Sequence, residues 1–500
     1  MRKRLSTTVS KRGCATIACA WLLAGCNVGP KYSPPAPPSA PGFKEAAPSA
    51  YKSAPPGTWQ PANPLDAKLK GKWWEIFQEP ELNALEEQLN IDNQNIAEFY
   101  QNFMAARAQV REAKAGYYPT LTVDPTFSRS RNPGGTAFTS TSGTTTIAQS
   151  RTATTFSEYA LPFDASWAPD LWGRVGNMVR ESRATAQMSA ADLENERLTE
   201  QASLAVFYFQ LRGQDSLQAL YNATIEAYRK SLELTKALVE TGIDSPEAEA
   251  QAEVTLRDAE ATAAGIATNR NIYEHAIATL IGKPASSFSM PVRNLTTPVP
   301  AIPVGVPSEL LQRRPDIAAA ERTMAAANAL IGVEKAAYYP SLTLTAGGGL
   351  QSTTIGSLFS LPSLFWSVGA AASQILFDAG LRKATVAQYT ASYNADVAAY
   401  RQTVLTAFQQ VEDNISTLRV TSAQIIKQKA AVESGQRNLE IALARYETGL
   451  DPYLNVIAAQ TTLLTDQQTL ATLRVTEMAA AVQLIQALGG GWDVSQLPKT

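Results

Sequence analysis

Histidine and cysteine are almost missing from this chain of 500 residues, which has one histidine, His275, and three cysteines, Cys14, Cys19 and Cys26. Protein zinc and redox-metal centres need several such side chains at short spacing, so no ligand set for a His- or Cys-built catalytic metal site remains. A lone imidazole without a partner relays no proton, and His275 reads as a helix-surface or core residue. The chain also lacks a GxxxxGK[ST] phosphate loop, a GxSxG nucleophile turn and an HExxH zinc pair, and no acid–base or nucleophile constellation emerges. The expectation is a protein that is not an enzyme, with no cofactor beyond a covalent lipid. Past the first 26 residues there is no long apolar run, so a spanning helix is not expected.

What is present begins at the N-terminus. Arg2, Lys3, Arg4, Lys11 and Arg12 precede a short apolar stretch, 16–24, that is followed by Leu23-Ala24-Gly25-Cys26. The stretch is too short to be a mature membrane anchor. It resembles a bacterial lipobox, in which the leader 1–25 is cut off and Cys26 carries a diacylglycerol, each buried methylene contributing about 0.8 kcal/mol of membrane affinity. Asn27 follows the cysteine, where an aspartate would hinder outer-membrane sorting. Removing five basic and no acidic residues with the leader leaves a net charge of −7, an acidic balance that argues against a nucleic-acid partner.

The remainder is a duplication. Residues 115–123, AGYYPTLTV, match 336–344, AAYYPSLTL, at an offset of 221. Glu240-Thr-Gly-Ile-Asp244 matches Glu447-Thr-Gly-Leu-Asp451 at an offset of 207, as do Gly173 with Gly380 and Gly282 with Gly489. The fall in offset assigns 14 extra residues to the first half, and the Ser/Thr/Gly-rich stretch 129–155 is expected to be the exposed loop that holds them.

Each half reads helix, strand, loop, strand, very long helix, turn, helix. In the first half the helices are expected over about 81–116, 172–240 and 245–280. In the second they are expected over about 307–337, 379–447 and 452–488. A helix of roughly 70 residues would be about 105 Å long at 1.5 Å per residue. Val386, Tyr393, Val397, Tyr400, Val404, Phe408, Val411, Ile415 and Leu418 recur at threes, fours and sevens, as in a coiled coil. The strands alternate. Leu121, Val123 and Phe127 oppose Thr120, Thr122 and Ser128; Leu364, Trp366, Val368 and Ala370 oppose Ser363 and Ser367. An apolar face opposite a hydroxyl-rich one fits a membrane barrel, and a soluble sandwich alternates too. Four strands cannot close a membrane barrel and an open edge is not allowed in lipid, so a barrel requires several chains.

Together these features resemble the TolC-like outer membrane factor family, and within it the OprM- and NodT-like lipoprotein branch that serves resistance-nodulation-division (RND) efflux systems. Cys26-Asn-Val-Gly-Pro-Lys-Tyr32, Lys72-Trp73-Trp74-Glu-Ile-Phe77-Gln-Glu-Pro80 and Leu311-Gln-Arg-Arg314-Pro315-Asp316-Ile317 carry the likeness, in order, around the duplication. The resemblance implies a fold class that is mainly α with a transmembrane β-barrel: a homotrimer sharing twelve strands, continued by a long periplasmic α-barrel. It implies a division into leader 1–25, lipidated N-terminus and Pro-rich equatorial segment 26–80, first repeat 81–282, linker 283–307, second repeat 308–490 and tail 491–500. The function implied is the outer-membrane exit duct of a tripartite pump, passive, with a periplasmic adaptor (membrane fusion) protein, an inner-membrane RND pump and outer-membrane lipid as partners. The alternatives are the duct of a type I protein secretion system, or a periplasmic coiled-coil scaffold lipoprotein without a pore.

The resemblance further implies that the turns carrying Gly242 and Asp244, and Gly449 and Leu450, are the adaptor-contacting tips. It places a gate just past the second turn, with Tyr446 tying helices together, Leu454 as a hydrophobic constriction, and Asp451 and Asn455 beside it. This chain departs from the family's aspartate rings, because the corresponding positions are Asn455 and Ala458.

Overall fold

The computed structural model describes residues 27–38, 42–45, 71–132, 138–142, 145–149, 153–302 and 310–497. Cys26, the leader 1–25, most of the Pro-rich segment up to residue 70, and residues 303–309 of the linker lie outside them. The chain divides into two units. One comprises residues up to 33, 107–184 and 325–395; the other comprises 34–106, 185–324 and 396–500.

The elements follow the duplicated order. Helices α1 (Pro80–Asp92) and α2 (Gln94–Ala115) lead to strands β1 (Thr120–Val123), β2 (Thr126–Asn132), β3 (Phe138–Ser142), β4 (Thr145–Gln149) and β5 (Thr154–Trp167). Helices α3 (Arg174–Glu240) and α4 (Pro246–Leu280) complete the first half. The second half is α5 (Leu310–Arg313), α6 (Pro315–Ala336), β6 (Ser341–Ser352), β7 (Leu364–Ser373), α7 (Leu381–Glu447) and α8 (Tyr453–Ala487). The two long helices, α3 and α7, have 67 residues each. Among the described residues no helix is long and apolar enough to cross a membrane.

Three sequence expectations are corrected. The helix expected over 81–116 is two helices. Asn93 leaves the helical region with ψ 124°, its Nδ2 donates to the Leu280 carbonyl at 2.9 Å, and its Oδ1 accepts from the Ile96 N–H at 3.0 Å. A tertiary partner and a cap together replace the intrahelical bond there. The helix expected from about 307 is likewise broken, between α5 and α6, because Pro315 cannot donate a helical N–H and suits only a first turn. The stretch 129–155, expected as a loop, holds the end of β2, the hairpin β3–β4 and the start of β5. Threonine favours strands, so a Ser/Thr-rich composition marked β-structure rather than loop here.

In the first unit, β1 and β2 both pair antiparallel with β5, interrupted at Asp124-Pro125, where proline has no ladder donor. β5 pairs with β6, and β6 with β7, so the sheet is in effect four strands wide with β1/β2 at one edge and β7 at the other. Pro162 lies inside the central strand β5, opposite Gly349. A Cβ on Gly349 would collide with the Leu161 carbonyl, so the glycine is what admits this close approach. Both faces of β7 are exposed, Trp366 and Val368 on one side and Ser367 and Gly369 on the other. A sandwich would bury one face under a second sheet. No such layer covers it among the described residues. Nearby, Asn27 is seated by buried Asn177, whose Nδ2 donates to Asn27 Oδ1 at 3.0 Å.

In the second unit a core of Trp73, Phe77, Leu82, Tyr208, Phe209, Leu211, Ile277 and Leu484 packs the short helices against the long ones. The irregular linker after α4 is held by charged side chains. Asp215, fully buried on α3, accepts from Arg212 Nη1 at 3.0 Å, Arg270 Nε at 2.7 Å and the Arg293 N–H at 2.9 Å. Arg212 and Arg270 donate in turn to the carbonyls of Pro291 and Met290, at 2.6 and 2.7 Å. Arg293 and Thr297 both donate to Glu79, whose carboxyl is held below its ordinary value by these bonds and by Tyr208, against the opposing effect of burial.

Candidate functional site

The two turns that join α3 to α4 and α7 to α8 are built alike. Gly242 (φ 78°) and Gly449 (φ 71°) stop the long helices in the left-handed region that favours glycine. The Gly242 N–H donates to the Val239 carbonyl and the Ile243 N–H to the Leu238 carbonyl, both at 2.9 Å. Gly449 and Leu450 repeat the pattern onto Tyr446 and Arg445. This pairing satisfies the last helical carbonyls in both turns. A Cβ on Gly449 would lie 4.0 Å from Ile243 Cγ2, so the two turns adjoin. Ile243 and Leu450, the residues after the glycines, are exposed.

Between the turns lies a buried polar cluster. Tyr446, at the end of α7, is only 3% exposed; its hydroxyl donates to Asp244 Oδ2 at 2.7 Å and lies 3.1 Å from Thr235 Oγ1. One residue thus ties α7 to both α3 and the α3–α4 turn. Burial, reinforced by the Asp244 carboxylate, pushes the Tyr446 hydroxyl up to about 12 from an ordinary 10. Because the folded value is raised, this contribution to stability is complete below pH 10 and is lost as pH rises toward 12. The Tyr446 ring packs on Tyr453, the first residue of α8, with centroids 5.1 Å apart. The Tyr453 hydroxyl lies 3.2 Å from Ser231 Oγ, and Gln460 Nε2 donates to the same oxygen at 3.4 Å.

The structure therefore brings Tyr446 and Asp244 together, and separates Asp451 from them. Asp451 pairs with its near neighbour Arg445, Nε at 2.6 Å and Nη2 at 3.1 Å, which holds its carboxyl below the ordinary value. Leu454 is 60% exposed, and Asn455 and Ala458 are exposed with it, whereas Tyr453, Val456 and Gln460 are buried. The spacing puts residues 454, 455 and 458 on one face of α8 and the anchoring residues on the other. The site's unforeseen members are Thr235, Ser231, Tyr453 and Gln460. The only sequence trace they left is polar residues inside an otherwise apolar stripe.

Among the described residues no group of three or more histidine, cysteine, aspartate or glutamate side chains is placed to hold a metal ion. His275 is exposed on α4.

A family model described as outer membrane efflux protein matches residues 85–283 and 306–490. Two relatives from Pseudomonas putida, the antibiotic efflux pump outer membrane protein ArpC and the toluene efflux pump outer membrane protein TtgC, are each 30% identical over 479 residues, covering 95% of this chain and 94% of theirs. The solved outer-membrane channel OprN superposes with a TM-score of 0.82 at 27% identity, over 93% of this chain and all of that one.

Proposed function

The chain belongs to the outer membrane efflux protein family and is an outer-membrane efflux channel, and we propose that it is the passive exit duct of a tripartite pump, closed at its helix-turn end by a gate. The observation that carries the proposal is the open sheet. Its two edge strands, β1/β2 and β7, have no outer partner among the described residues, and both faces are exposed. Lipid does not tolerate unpaired strand edges, so the sheet must be completed by further copies. Three copies give twelve strands, wide enough to leave a channel where eight would be filled by side chains. Trp366 and Val368, 78% and 77% exposed, then face lipid, with Ser367 toward water.

The division into leader 1–25, segment 26–80, repeats 81–282 and 308–490, linker 283–307 and tail 491–500 is part of the proposal, supported by the two matched stretches of the family model. So is a lipid on Cys26, supported by the seat that Asn177 provides for the next residue, Asn27. The exposed apolar pair Ile243 and Leu450, beside Gly242, Asp244 and Gly449, is the surface offered to a periplasmic adaptor, through which an inner-membrane RND pump supplies the energy. Relatives named for antibiotic and toluene efflux support small molecules as cargo.

Leu454 is the proposed constriction. Tyr446 and Asp244 hold the α7–α8 hairpin against α3, and Leu454 projects from the opposite side of α8. Adaptor binding opens the tip by favouring the state in which these bonds are broken. The test is planar-bilayer conductance of the purified protein, with its mass in detergent measured alongside. A trimer whose conductance rises in Leu454→Ser agrees with the gated duct. A monomer without conductance, or a Leu454→Ser channel identical to the parent, removes the shared barrel or the gate respectively.

A further inference from the structure

We propose that Tyr453, with Ser231 and Gln460, forms a second latch on the gate, distinct from the bond between Tyr446 and Asp244, and that it sets where Leu454 stands. The proposal rests on the reading of the helix turns as a gate, and deepens it.

The two contacts pin different things. Tyr446 joins the end of α7 to the α3–α4 turn through Asp244. Tyr453 joins the start of α8 to the side of α3 through Ser231, one helical turn before Thr235. The ring contact between Tyr446 and Tyr453 lies within the α7–α8 hairpin and travels with it, so it resists no separation from α3. The hydroxyl contacts span from that hairpin to α3. A movement that draws α7 and α8 away from α3 must break both.

Ser231, Tyr453 and Gln460 are 5%, 2% and 4% exposed. In such surroundings a broken hydrogen bond is not replaced at once by water, so it costs more than at a surface. Ser231 is also fixed through its backbone, since Thr235 Oγ1 donates to its carbonyl at 2.9 Å. Leu454 directly follows Tyr453, and successive helical residues point about 100° apart. Fixing Tyr453 inward against α3 therefore fixes Leu454 outward. Tyr453, Ser231 and Gln460 are positioning residues: they act on Leu454 through the first turn of α8.

The experiment uses the full trimer in planar bilayers and reads the resting open probability. Tyr453→Phe keeps the ring and removes the hydroxyl; Ser231→Ala removes its partner. Each is expected to raise open probability about two- to tenfold, the range of one buried hydrogen bond. Because both remove the same contact, the double variant is expected to show no more than either single one. A merely structural loosening would not produce that coupling. Combined with Tyr446→Phe, the effect of Tyr453→Phe is expected to multiply, as for two separate latches. If Tyr453→Phe does not assemble, Ser231→Ala and its combination with Tyr446→Phe carry the test. Unchanged opening in Tyr453→Phe and Ser231→Ala, with Tyr446→Phe still active, overturns the latch and leaves the gate standing. Independent, multiplying effects of Tyr453→Phe and Ser231→Ala overturn it too. If Leu454→Ser and Tyr446→Phe are also silent, the gate itself falls and takes the latch with it.

Discussion

Val368→Arg is expected to abolish the membrane-inserted trimer. Val368 is 77% exposed in the middle of β7, on the apolar face with Trp366, and it pairs across the ladder with Ala346. An arginine facing lipid near the bilayer midplane costs about 2–4 kcal/mol, and a trimer carries three copies, so the total is about 6–12 kcal/mol. That is comparable to the whole stability of an ordinary domain. Ser367→Arg, one residue away on the opposite face, is expected to be tolerated and to alter ion selectivity, because that side faces water. The measurement is the trimer fraction extracted from membranes, followed by conductance. Equal damage from both variants would show that the two faces are not lipid and lumen, and the barrel reading would fail.

The second large effect is expected far from the sheet. Asp215→Ala removes one carboxylate and strands two arginines, Arg212 and Arg270, that it holds at 3.0 and 2.7 Å, together with the Arg293 N–H. Arg212 is buried, so its charge cannot be returned to water without displacing the linker carbonyl of Pro291. Removing one partner of a buried ion pair costs about 3–5 kcal/mol. The exposed pair of Glu226 and Arg229 supplies the control, since Glu226→Ala is expected to cost less than about 1 kcal/mol. Denaturant unfolding of the two variants decides the matter. If Asp215→Ala falls as little as Glu226→Ala, the linker is not held by this cluster.

Much of the architecture was legible in the residues. The duplication, the long helices, the alternating strands and the paired turns at Gly242 and Gly449 are local or periodic signals, and the structure reproduces them. The errors share a cause. The break at Asn93 depends on the Leu280 carbonyl, 187 residues away, and no helical pattern around residue 93 announces it. The break at Pro315 was locally visible, and the motif that contains it drew attention for family resemblance rather than for backbone chemistry. The hairpin within 129–155 was missed because Ser, Thr and Gly were weighed as loop formers, when threonine is also a strand former.

Of the gate, Tyr446 and Leu454 came from resemblance, and Asp244 entered as a neighbour of the turn. Its role as the acceptor for Tyr446 joins residues 202 apart, and the contact between Tyr453 and Ser231 joins residues 222 apart. By itself the sequence determined which segments are helix and strand, where the repeat falls, and that no histidine- or cysteine-based chemistry is available. These follow from side-chain periodicity and residue type, which act over a few neighbours. Only the tertiary structure decided which polar groups are buried together, because burial and hydrogen bonding depend on which helices meet. Here that places Asp451 on its own Arg445, leaves Leu454 exposed, and sets Tyr446 and Tyr453 as the side chains that hold α7 and α8 to α3.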